Sequence, residues 1–190
     1  ERADGRRVNL PDGVKYSIKS FREQIQDVLD GKFPRNDHVY VMDTPEVLQK
    51  LGLKALPMLM TQRHARTTTL TGIGHRGENY HGLGLDLMEQ LPNAIANPVM
   101  VIKSYNYVKR ITVITQLADG NGDSVIAAVE VNGYGTWENV RIDSNTVASV
   151  YGKEHIRGTI KRAIKNDEVM YIDKNKSTSF AQSVGVQFPE

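Results

Sequence analysis

Cysteine is absent from the 190 residues. That excludes disulfides, thiolate zinc ligands and a cysteine nucleophile. It also suits a domain that has to unfold and refold on delivery, because there is no thiol to misoxidise. Long apolar runs are missing too. The longest candidates, such as Pro98-Val99-Met100-Val101-Ile102, are strand-sized, far from the roughly 20 residues a membrane helix needs. No HExxH pair, P-loop or dinucleotide fingerprint occurs, so the expectation is a chain with no metal and no cofactor. DGNGD at 119–123 lacks the terminal glutamate of a calcium loop and reads as a hairpin turn. Charge of one sign is scarce as well: 24 Lys and Arg against 22 Asp and Glu leave a net +2. That permits a nucleic-acid partner without requiring one.

What is present fits a soluble globular domain, with 39% hydrophobic and 24% charged residues. Residues 1–16, opening ERADGRR and broken by Gly5, Pro11 and Gly13, read as the remnant of a linker in a longer polypeptide. Residues 17–175 read as one domain and 176–190 as a tail. SFREQIQDVLDG carries Phe21, Ile25, Val28 and Leu29 at helical spacing. HVYVM (38–42) and PMLMTQ (57–62) read as strands flanking a short helix begun by Asp43-Thr44-Pro45. Residues 67–77 have no amphipathic period, and GLDLMEQLPNAI is a helix with a break near Pro92. Four β-branched runs follow, at 99–104, 110–117, 124–131 and 139–143, separated by turns at DGNGD and NGYG (132–135). A basic helix over 153–165 and a strand over 168–173 complete the order. Helices first and antiparallel sheet second is the α+β pattern, with N-terminal helices packed on a twisted, mainly antiparallel sheet.

Four segments place reactive side chains at element ends, where a rigid scaffold presents chemistry. They are MTQRHA with His64, ENYHGLG with Tyr80 and His81, IKS with Lys103 and Ser104, and DSNTVASVYG with Ser144, Asn145, Ser149 and Tyr151. Plainer roles fit the same residues. His81 suits a helix N-cap, and Ser144 with Asn145 suits the caps of a helix beginning near Thr146. Lys103 suits a solvated strand end, and Tyr151-Gly152 a helix C-terminus. His38, His75 and His155 read as polar surface residues.

Three stretches together carry a resemblance: DHVYVMDTPEVLQKLGLKALPMLMTQRHA, NYHGLGLDLMEQLPNAIANPVMVIKS and IDSNTVASVYG. They resemble the C-terminal domains of phage MuF-type and large polyvalent proteins, in the barnase, EndoU, colicin and RelE-like nuclease superfamily, from about Lys15 to Asp173. The resemblance implies one or two helices on a twisted antiparallel sheet, with HVYVM to PMLMT as an addition to the minimal fold. It implies a metal-independent ribonuclease toxin in which the 2′-hydroxyl attacks its own phosphate. His81 matches the motif best and His64 second, as the proton-transfer pair; histidine suits both jobs near neutral pH. Lys103, Ser144 and Tyr151 then fall on the phosphate side, with Asn145 orienting a base or a histidine ring. The implied partners are RNA and a cognate immunity protein, the implied setting the cytoplasm of a bacterial target or host, and the implied source a larger phage-derived or secreted polypeptide.

Lys153, Arg157, Lys161 and Arg162 lie in the basic stretch KEHIRGTIKRAIK and are candidates for phosphate contacts, although a solvated helix face accounts for them equally. Tyr105, Tyr107, Tyr134 and Trp137 are candidates for base stacking. Two other function classes remain open. One is a non-catalytic phage accessory module that binds nucleic acid or host protein. The other is a toxin transferase, ADP-ribosyl or nucleotidyl, on an α+β scaffold. Lys176-Ser177-Thr178-Ser179-Phe180 is similar to the Ser-Thr-Ser strand of ADP-ribosyltransferases, but the downstream glutamate is missing apart from Glu190.

Overall fold

The computed structural model describes residues 19–70, 72–73, 79–80 and 82–185. Helix α1 (Phe21–Leu29) starts where the Ser20 hydroxyl accepts from the Glu23 N–H, and it buries Phe21, Gln24, Ile25 and Val28, the one-sided spacing of an amphipathic helix. Strand β1 (Val39–Asp43), helix α2 (Glu46–Gln49) and strand β2 (Pro57–Met60) follow. The next helix, α3 (Gln62–Thr69), is capped by Thr61, which accepts from the His64 N–H. A separate ribbon pairs β3 (Gly72–Ile73) with β4 (Asn79–Tyr80). Then come α4 (Leu85–Glu89) and α5 (Leu91–Ala96), with Pro92 inside the first turn of α5. The chain next forms β5 (Met100–Lys103), β6 (Arg110–Ala118), β7 (Ser124–Trp137) and β8 (Val140–Lys153). It closes with α6 (Ile156–Lys165), β9 (Val169–Ile172) and α7 (Lys174–Val184).

The fold is α+β. Seven strands form one open sheet in the order β1-β2-β8-β7-β6-β5-β9. Every pairing is antiparallel except β2 with β8, where Met58 lies beside Asn145 and Leu59 beside Thr146. Helices cover both faces. On one, Ile25, Val28, Met88, Leu91 and Ile95 pack on Val101, Ile111, Val113, Val125, Ala127, Val129, Val147 and Val150. On the other, Ile156, Ile160 and Ala163 of α6, with Phe180 and Val184 of α7, pack on Met100, Ile102, Ile114 and Ile126. Val125, Ile126 and Ala127 go alternately to the two cores, as period-two strands must. The free edge of β1 is closed by Gln24, whose carboxamide accepts from the Tyr40 N–H and donates to the Tyr40 carbonyl, both at 2.9 Å. This satisfies backbone groups that would otherwise invite another strand.

Beyond Glu130 and Thr146, β7 and β8 continue as a two-stranded arm that bends back onto the start of β1. The His38 N–H donates to the Thr136 carbonyl at 2.8 Å, the Thr136 N–H donates to His38 Nδ1 at 2.9 Å, and the Asn139 N–H donates to Asp37 Oδ1 at 3.0 Å. The arm turns at Glu138 and Asn139, with φ of 50° and 60°, the left-handed pair that a tight hairpin requires.

This arm corrects three sequence expectations. NGYG is not a turn, because β7 runs straight through it to Trp137. Gly135 serves instead as a point of close approach, since a Cβ there would meet Leu59 Cδ1 at 2.7 Å and the His38 ring at 3.2 Å. No helix begins near Thr146 either, so Ser144, Asn145 and Tyr151 are strand residues of β8, not caps. His38 is half-buried in the arm junction rather than a surface residue. Three further expectations change. Residues 62–69 form α3 although their latter part reads as irregular. Residues 176–184 are helical within α7 and pack on the core, so they are no tail, and Lys176–Phe180 is not a strand. Lys153 ends β8, so the basic helix begins only at Ile156.

Candidate nucleic-acid interface

The loop between β5 and β6 returns on itself, with the Ser104 N–H donating to the Arg110 carbonyl and the Arg110 N–H to the Tyr107 carbonyl, both at 3.1 Å. This leaves Tyr105 66% and Tyr107 55% exposed. Neither ring stands alone. The Arg110 guanidinium lies 4.3 Å from the centroid of Tyr107 and that of Arg162 lies 4.4 Å from the centroid of Tyr105. Out on the arm, toward its turn, Arg141 covers Tyr134 at 3.6 Å, while Tyr134 stays 58% exposed. The Val131 N–H donates to the Lys109 carbonyl at 2.8 Å, which ties the base of the arm to the same loop. Between them is a hollow of about 400 Å³ lined by Val108, Lys109, Arg110, Ile111, Val131 and Asn132. Such planar ring and guanidinium pairs offer a stacking face and a phosphate-binding fork together.

His64 sits on the first turn of α3 and is half-buried. Burial, the leading cause, lowers its pKa, and the positive charges of Arg63 and Arg110 push it the same way. The imidazole is therefore neutral at pH 7 and able to accept a proton. Arg110, whose charge His64 feels, is also a wall of the 400 Å³ hollow.

Other residues singled out from sequence separate. Lys103 is exposed at the end of β5, its N–H donating to the Glu168 carbonyl at 2.9 Å, so it belongs to the same end of the sheet as Tyr105. Ser144 is fully buried, its hydroxyl 3.3 Å from that of Thr146. Asn145 is also fully buried. Its amide donates to the Thr44 hydroxyl and the Lys54 carbonyl, and its carbonyl oxygen accepts from the Asn132 N–H at 3.0 Å. It therefore orients backbone, not a histidine ring. Tyr151 lies at the opposite end of β8, paired with Ile126. There it lines a cleft of about 370 Å³ with Thr67, Thr68, Leu83 and the carboxylates Asp119, Asp123 and Glu154. Burial raises its hydroxyl pKa, so it stays protonated, and the three carboxylates repel a phosphodiester. His81 and His75 lie outside the described residues.

The basic set divides in the same way. Arg162 stacks on Tyr105, Lys161 is exposed on α6, and Lys153 and Arg157 line a hollow of about 230 Å³ near the β6–β7 turn. Among the aromatic candidates, Trp137 packs edge-on against Tyr40, centroids 6.2 Å apart. Arg110 and Arg141 were not foreseen. Arg110 carries a sequence signal, three residues past Tyr107 and at a strand start. Arg141 carries none, because its partner Tyr134 is brought beside it only by the register of the arm. Among the described residues no group of three or more His, Asp or Glu could hold a metal ion, and no helix is long and apolar enough to cross a membrane.

Compared with known proteins, residues 73–179 match the model of a family described as the phage MuF C-terminal domain. No curated protein and no solved structure matches.

Proposed function

The chain belongs to the phage MuF C-terminal domain family, whose match spans more than half of its length, and on that premise we propose that it is a metal-independent endoribonuclease acting as a phage-borne toxin. The observation that carries this reading is the half-buried His64 imidazole, whose pKa burial and the charges of Arg63 and Arg110 lower, with Arg110 also walling the hollow at the β5–β6 loop. In the reaction, the 2′-oxygen forms a bond to the adjacent phosphorus and the bond from phosphorus to the 5′-oxygen breaks. The products are a 2′,3′-cyclic phosphate and a 5′-hydroxyl. His64 takes the 2′-proton, Arg110 holds the crowded phosphate oxygens, and a second group returns a proton to the 5′-oxygen. His81, inside the family match, is the residue assigned to that second transfer. RNA is then the substrate, and an immunity protein the partner that protects the producer.

The test is purified protein with total RNA in EDTA, followed by end-group analysis. Wild type should yield cyclic-phosphate ends, and His64→Ala should lower the rate by roughly 10²–10⁴-fold, the usual worth of a general base. Arg110→Ala should cost roughly 10²-fold or more, as loss of a transition-state donor does. RNA left intact by wild type sinks the ribonuclease reading. The second reading, a non-catalytic accessory module that binds nucleic acid or protein, is favoured by one observation: Ser144 and Asn145 are buried, and Tyr151 lies in a separate acidic cleft.

A further inference from the structure

The ribonuclease reading takes RNA as substrate but leaves open which form of RNA. We infer that the aromatic end of the sheet is a track for single-stranded RNA, on which Tyr105, Tyr107 and Tyr134 stack unpaired bases while Arg162, Arg110 and Arg141 hold the adjoining phosphates. This deepens the ribonuclease reading and rests on it for the identity of the polymer.

The argument begins with exposure. Three of the most exposed aromatic rings of the described residues, at 66%, 55% and 58%, each carry a guanidinium at 3.6–4.4 Å. An arginine on one side of a ring holds it in place and leaves its other surface for a ligand. A face of that kind suits any base, because every base has a π-surface. The bases of a duplex are stacked on each other and unavailable, so rings of this sort select unpaired strands. Two of the pairs adjoin, and the third stands further out on the arm. Tyr105 and Tyr107 share one loop, and the contact of Val131 with Lys109 brings the base of the arm beside it. Tyr134 is three residues beyond Val131, past the register irregularity at Asn132. Lys103 is exposed at the same end.

Neighbouring carboxylates take up part of this charge. Glu130 lies 3.6 Å from Arg110 and Glu168 lies 4.0 Å from Arg162, while Asp143 is paired across from Tyr134. Glu130 and Glu168 each hold one edge of their arginine. All three tyrosines and their arginines fall within residues 73–179, the span of the family match, whereas His64 precedes it.

The test measures binding apart from cleavage. A fluorescein-labelled 12-nucleotide 2′-fluoro RNA has no 2′-hydroxyl to attack with, and fluorescence anisotropy in EDTA would compare it single-stranded and annealed to its complement. Single strand should bind at least about tenfold more tightly than duplex. Tyr105→Ala with Tyr107→Ala should weaken single-strand binding by roughly fivefold or more per ring. The corresponding Phe pair, which keeps both faces, should bind within about twofold of wild type. Equal affinity for the two forms, an alanine pair as good as wild type, or no binding to either form overturns the inference. Strand-selective binding by a protein that leaves total RNA intact sinks the ribonuclease reading and sustains the track. Cleavage without strand preference does the reverse.

Discussion

At the scale of single residues, Asn145 shows how a polar group that looks catalytic in sequence can be spent on architecture. Its three hydrogen bonds reach Thr44 and Lys54 on one side and the positive-φ residue Asn132 on the other. They join β8 to the chain before β2 and to the irregular register of β7. Asn145→Ala leaves the Asn132 N–H and the Lys54 carbonyl without that partner, which should cost about 2–4 kcal/mol. Urea unfolding reads this directly, and a change below about 0.5 kcal/mol would refute the structural role. Ser144 makes the same point more simply. A hydroxyl with no exposure and only Thr146 for company has no route to a phosphate.

At the scale of elements, the arm is held to the start of β1 by an imidazole that must be unprotonated at Nδ1 to accept from Thr136. Burial lowers the His38 pKa, with Asp37 opposing, and burial followed by Arg63 and Arg110 lowers that of His64. Both groups are thus more basic in the unfolded chain. Their contribution to stability is complete above the unfolded value near 6.5 and is lost as pH falls through that value toward the folded one. The melting temperature should drop between pH 7.5 and pH 5.5, and His38→Gln should flatten the drop. An unchanged or higher melting temperature at pH 5.5 contradicts this coupling.

Much of this level was legible in the sequence. The β-branched runs, the DGNGD turn and the break at Pro92 all come from local chemistry, and the Asp119 carboxylate accepts from the N–H groups of Asn121 and Asp123 as such a turn demands. The errors share a cause. Gly135 reads as a turn residue because sequence cannot show Leu59 and His38 crossing above it. QRHARTTT hides a helix because only Ala65 and Thr69 face the core, and neither is a strong hydrophobic marker. Tyr134 and Arg141 become a pair only through strand register.

At the scale of the whole molecule, charge is arranged rather than abundant. A net +2 hides two unlike ends of one sheet. One end sets Lys103, Arg110, Arg141 and Arg162 among exposed rings, with Glu130 and Glu168 beside two of the arginines; the other has Asp119, Asp123 and Glu154 around Tyr151, with Lys153 and Arg157 nearby. The family match takes in β4 to β9 whole, while α1 to α3, β1 and β2 lie before it. These earlier elements add two strands beside β8 and place His64.

One last feature concerns the place where the chain leaves α3 and comes back. Gly82 lies so close to the backbone of Thr69 and Leu70 that a Cβ there would collide with it, and Leu83 and Gly84 donate to the Thr68 and Thr69 carbonyls at 2.7 and 3.1 Å. The two ends of the excursion are therefore already joined, like the neck of a purse. Closing a loop costs only about 0.6 kcal/mol for each doubling of its length, so the stretch before His81 can change length at little cost to the fold. Replacing residues 72–80 with a short glycine-serine bridge should leave the melting temperature within a few degrees of wild type, and a collapse of the fold would show that the excursion is part of its support. At such a place the surface can be rewritten while the core stays as it was.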